Sequence, residues 1–214
     1  MRLYSYFRSS SILRVRIVLA LKGVDYEYSA VHLVKEGGQQ FAADFRALNP
    51  AALVPVLDDD GAILTQSLAI IEYLDETRPQ PPLLPADAAG RARVRALALA
   101  VACEIHPLNN LRVLGYLSRT LGITEDQKNA WYRHWVETGL ETVEAMLAGD
   151  ARTGAFCHGD APTMADVLLV PQIFNAMCFN CRLDHVPTVM LIHRHCMDLP
   201  AFAMSVPAEQ PDAD

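Results

Sequence analysis

The stretch Tyr4-Ser5-Tyr6-Phe7-Arg8-Ser9-Ser10-Ser11-Ile12-Leu13-Arg14-Val15-Arg16 changes its period part-way along. Up to Tyr6 it alternates as a short strand does. After three consecutive hydroxyls it takes up helical spacing, with Ile12, Val15 and Leu19 on one face. A strand feeding a helix through three serines sets hydroxyl donors and free backbone N–H groups at the positive end of a helix dipole. Such a junction holds an anion, or a thiol in its anionic form. A redox enzyme of related build needs cysteines there, and none is present.

The same alternation continues outward. Arg2 to Tyr6, Tyr26 to Leu33, Val56 to Leu57 and Ile63 to Leu64 read as strands, and Ser10 to Lys22, Gln39 to Leu48 and Ser67 to Thr77 as helices. This is a small α/β unit whose last two strands form a hairpin across Asp58-Asp59-Asp60-Gly61. Arg78 to Pro85 then carries four prolines in eight positions, a linker. Beyond it no strand pattern appears. Ala88 to Leu117 reads as one long helix bent near Pro107 and Asp126 to Leu147 as a second, while Thr163-x-x-Asp166 opens a third.

Bulk properties narrow the function. The 214 residues are 51% hydrophobic and 20% charged, with a formal charge of −7, which fits a soluble globular protein and argues against a nucleic-acid surface. No apolar run approaches the roughly 18 residues that cross a bilayer. The chain enters a strand at once with no signal-like segment, and its five cysteines form no disulfide framework, so a cytoplasmic protein with reduced thiols is expected.

Two further segments carry chemistry. In Leu53-Val54-Pro55-Val56-Leu57 the proline either simply starts a strand or marks a cis bond that turns the Val54 backbone outward, where an extended peptide could pair with it. Gln66-Ser67, ahead of a helix, either caps that helix with Ser67 or offers donors to a carboxylate. A thiol site, a backbone edge and a carboxylate site together match the three parts of glutathione.

With these segments the chain resembles the glutathione transferases, and the zeta class in particular (maleylacetoacetate and maleylpyruvate isomerases). The likeness extends through Lys22-Gly23, Gly37-Gly38-Gln39-Gln40-Phe41, Leu48-Asn49-Pro50, Gln66 to Leu74 and the terminal Gln210-Pro211-Asp212. The resemblance implies an α/β thioredoxin-like N-terminal domain, residues 1–80, that binds glutathione, and an all-α substrate-binding C-terminal domain, residues 86–214. It makes Ser9 the hydroxyl donor to the glutathione sulfur, with Ser10 beside it and Arg8 facing the substrate. Ser11, Arg14, Gln40, Val54, Gln66 and Ser67 become cofactor contacts, joined from the helical domain by His106, Asn110, Leu111 and Arg112. It further implies isomerisation of a maleyl keto diacid and a homodimer.

One position departs from the family pattern. Cys178 stands where the family usually carries an arginine for the substrate carboxylate, and Arg112 or Arg182 is the candidate substitute. That departure keeps two alternatives open, a transferase acting on small electrophiles such as α-halo acids and a glutathione-binding module without turnover. Cys178-x-x-Cys181 with His185, His193, His195 and Cys196 imitates a zinc site, but Pro187 separates the two groups and no metal is expected.

Overall fold

The computed structural model describes residues 1–213. They divide into two compact units, Met1–Pro82 with the chain from Leu199 on, and Leu83–Asp198.

In the first unit, β1 (Arg2–Ser5), α1 (Ser10–Leu21), β2 (Glu27–Ala30), α2 (Ala43–Leu48), β3 (Val56–Asp59), β4 (Ala62–Thr65) and α3 (Ser67–Thr77) follow one another. The sheet order is β2-β1-β3-β4, with β1 parallel to β2 and antiparallel to β3. Leu3 lies in register with Tyr28 on one side and Leu57 on the other. Asp60 and Gly61, both at positive φ, make the two-residue hairpin turn, and Asp58 Oδ1 accepts from Gly61 N at 2.8 Å.

Three expected elements change. The second strand ends at Ala30, and His32 Nδ1 then accepts from the Val34 and Lys35 amides, which turns the chain. The helix expected from Gln39 is a 3₁₀ turn, Gln39–Phe41, parted from α2 by an extended Ala42. Helix α1 is not amphipathic in place: every residue from Ile12 to Leu19 is buried, because α3 and α9 (Pro200–Ala203) both pack against it. Lys22 at its end donates to Asp75, Arg78 O and Pro81 O, fastening the proline linker.

The chain from Leu199 on was expected in the helical domain and instead completes the first unit. Phe202 is fully buried, and Arg16 Nε donates to Ser205 O at 3.0 Å. A guanidinium buried in α1 needs acceptors, and the returning chain supplies one.

The second unit holds α4 (Ala88–Leu99), α5 (Leu111–Arg119), α6 (Glu125–Leu147), α7 (Met164–Cys178) and α8 (Pro187–Met197), with no strand among its described residues. The expected single helix from Ala88 to Leu117 is broken. A π-helical turn (Ala100–Ile105) and a 3₁₀ turn (His106–Asn109) intervene, because Pro107 removes a backbone donor and Asn110 starts a new cap. Helix α7 is buried from Met164 to Ile173. At its start the Asp166 carboxylate accepts from Thr163 N, Thr163 Oγ1 and Cys157 N, so the capping box sits in the core. Gly139 in α6 lies against Ile105, where a Cβ would come within 2.3 Å.

Candidate functional site

The first unit gathers most of the expected residues around two helix starts. Ser9 is the N-cap of α1, yet no side chain caps that helix and no acidic residue stands in its first turn. The positive end of a 12-residue helix is therefore left for another anion. Ser10 is 7% exposed. Ser11 Oγ donates to Val54 O at 3.2 Å and lies 3.0 Å from Ser9 Oγ. A hydroxyl has one hydrogen, so with Ser11 committed to Val54 the Ser9 hydroxyl is the donor of this pair.

That bond ties the α1 start to the Val54-Pro55 segment, whose peptide bond is cis. Of the two backbone groups expected to face a peptide, the Val54 carbonyl already accepts from Ser11, while its N–H donates to no atom among the described residues. Asn49 holds the loop leading there, with Nδ2 on Leu53 O at 2.7 Å and Oδ1 receiving Ala51 N. Sequence reasoning assigned Asn49 no role; the Asn49-Pro50 pair, a turn signal, marks it.

At the second helix start the two predicted residues exchange places. Gln66, at φ 69° and exposed, is the N-cap of α3, and Ser67 is its first helical residue. The Ser67 hydroxyl accepts from Arg14 Nη1 at 3.3 Å and does not cap the helix. Arg14, 2% exposed, thereby adds a buried positive charge beside a helix N-terminus. Gln40 folds inward, its Nε2 on Leu33 O at 3.3 Å and its buried Oε1 without a donor. Gly38, at φ 101°, makes room for it, since a Cβ there would meet the Gln40 amide at 2.7 Å.

Arg8 is exposed and makes no ion pair among the described residues. With Phe7, His32 and Lys35 it lines an open depression of about 520 Å³.

The remaining expected positions lie in the second unit, at the α4–α5 break. His106 is half-buried in the 3₁₀ turn, and Leu111 and Arg112 are exposed. Asn110 acts locally, since its Oδ1 accepts from the Arg112 and Val113 amides and caps α5. Cys178 is exposed at the end of α7, and Arg182 is engaged with Glu137 through both N and Nε. Cys181 is buried, and burial pushes its thiol up to about 11, so it stays protonated near neutrality. Among the described residues no three His, Cys, Asp or Glu side chains converge on a metal position.

A glutathione S-transferase N-terminal domain model matches residues 3–82. A probable maleylacetoacetate isomerase of Vibrio cholerae is 50% identical over 211 residues, 99% of this chain and 97% of its own. The holo structure of a maleylpyruvate isomerase, a bacterial zeta-class glutathione S-transferase, is 50% identical with TM-score 0.96 and full coverage of both chains. The chain belongs to the zeta-class glutathione transferases. The maleylacetoacetate isomerase of Methylobacterium extorquens is 41% identical with TM-score 0.96 and full coverage of both, and holds malonate and glutathione. Set among zeta-class enzymes, the unpaired groups of the first unit fit a peptide-like thiol. They are the uncapped α1 start, the Val54 N–H and the Gln40 Oε1 acceptor, and the α3 start beside them carries the Arg14 charge.

Proposed function

We propose that the protein is a glutathione-dependent isomerase that converts the cis double bond of a maleyl keto diacid, maleylacetoacetate or maleylpyruvate, to the trans form. The observation that carries this reading is the junction at residues 8–11, where a guanidinium with no ion pair among the described residues adjoins an uncapped helix start bearing the Ser9 hydroxyl. Bound glutathione supplies a nucleophilic sulfur that adds reversibly to the activated double bond, so that the carbons rotate about a single bond before release. Ser9 donates its hydrogen to that sulfur, turning it away from Ser11. Lowering a thiol pKa by about two units needs about 2.7 kcal/mol of preference for the thiolate, which one hydroxyl and a helix dipole can supply. The Val54 N–H pairs with the backbone of the cysteinyl residue. Gln66 and Ser67, with Arg14 behind them, hold the γ-glutamyl carboxylate, and Gln40 faces the glycyl side. Arg8 neutralises one substrate carboxylate.

The test is ultraviolet absorbance of each maleyl acid with and without glutathione. A glutathione-dependent decay is expected, and its absence on both acids overturns the isomerase reading. Cys178 favours a second reading, conjugation or dehalogenation of α-halo acids, since Arg182 is already held by Glu137 and leaves Arg112 as the remaining substitute. Retention on immobilised glutathione without turnover of either substrate type would point instead to a binding module. A homodimer in the cytoplasm belongs to the same proposal.

A further inference from the structure

Phe7 and Arg8 are the central residues of a turn closed by Ser9 N on Tyr6 O at 3.0 Å. Both backbone groups of Phe7 are held from outside that turn. Its N–H donates to Asp212 Oδ2 at 3.2 Å, and its carbonyl accepts from Arg16 Nη2 at 3.1 Å. Asp212 also receives the Tyr28 hydroxyl on its other oxygen, and Arg16 is anchored by Ser205 O. The tail carrying Asp212 is itself braced, since Gln210 Nε2 donates to Met204 O and Val206 O. A segment with these bonds is held in place against β2 and the turn after β1.

We propose that Asp212 is a positioning residue for the reaction: the C-terminal tail clamps the Phe7 peptide and so sets the approach of Arg8 to the substrate and of the Ser9 hydroxyl to the sulfur. The inference rests on the function proposed above. Without these outside bonds the Phe7 peptide is held only by the turn's own Ser9–Tyr6 bond and can tilt, and a displacement near 1 Å at a reacting group costs about 10²-fold in rate. Asp212 touches neither cofactor nor substrate; it acts through Phe7. The sequence signal is the terminal Gln210-Pro211-Asp212, which no cofactor contact explains.

The experiment compares the wild-type chain with Asp212→Ala and Asp212→Asn in two measurements. Hydrogen exchange without ligand reads the amides of Phe7 to Ser9. Ultraviolet titration of bound glutathione, alongside kcat/KM, reads the thiol. Asp212→Ala is expected to speed exchange about tenfold, raise the bound thiol's apparent pKa by about one unit and lower kcat/KM about tenfold. Asp212→Asn keeps a neutral acceptor for Phe7 and should fall between the two. A lower Tm with wild-type exchange, thiol titration and kcat/KM would make the tail merely structural and overturn the proposal. Should Asp212→Ala not fold, the asparagine variant decides alone, and wild-type values there overturn it equally. A wild-type chain that leaves the thiol pKa at its solution value would sink the proposed function instead, with amide exchange still testing the clamp.

Discussion

Ser9 and Ser11 are separated by one residue and do different work. Ser11 gives its hydrogen to Val54 O, a bond within the scaffold, while the Ser9 hydrogen rests on Ser11 and is free to turn. Ser9→Ala removes the donor to sulfur and is expected to lower kcat/KM by about 10²-fold, the cost typical of deleting one oriented donor. Ser11→Ala loosens Val54 but leaves Ser9 its hydrogen, so kcat/KM should fall less than about fivefold and mainly through KM. Steady-state kinetics on both variants separate the roles, and equal losses would refute the assignment. The residue types at this site were legible in sequence because a strand-to-helix junction exposes whatever hydroxyls it carries. The partners were not. That Ser67 accepts from Arg14, that Gln66 takes the cap and that Asn110 caps α5 depend on where helices end in space.

Elements whose boundaries are set by local chemistry were read correctly, and those set by packing were not. The Asp60-Gly61 turn and the span of α3 follow from residue type alone. The break between α4 and α5 takes in more than Pro107, since a π-helical turn in contact with α6 precedes it, and no residue type announces that turn. The loop after α6 is held by charge. Asp150 accepts from Arg152 N, Nε and Nη2 and from Arg93 Nε on α4, and Arg93 also donates to Thr153 Oγ1 and Cys157 O. The Arg152 guanidinium first, and Arg93 after it, hold the Asp150 carboxyl well below its usual range. A carboxyl depressed on folding stabilises the protein above its unfolded value of 3.8, and that contribution is lost as the pH falls below it. Asp150→Asn should therefore lower Tm by a few degrees at neutral pH, with the gap to wild type closing below pH 3.8. A gap that persists in acid would assign the effect to shape and not to charge.

At the scale of the whole chain, the sequence places a linker at Arg78 to Pro85, and the contacts place the chain from Leu199 on with the first unit. Nothing in the composition of that terminal stretch announces the return. It shows in space, where Ser205 O accepts from Arg16, 189 positions away, and Asp212 accepts from Phe7 and Tyr28. The first unit is consequently incomplete at Pro82. Cutting there removes Phe202, wholly buried in the native chain, and deletion of a buried phenylalanine side chain costs about 3–5 kcal/mol. It also strips Arg16 of the Ser205 carbonyl while leaving the Phe7 carbonyl, so a buried guanidinium is under-satisfied. A domain's net stability is about 5–15 kcal/mol, and losses of this size consume much of it. A fragment of residues 1–82 should therefore show no cooperative thermal transition by circular dichroism, even with α1, α3 and all four strands encoded. A native-like melt of that fragment would show that the returning chain contributes little, and would return the boundary to the linker alone.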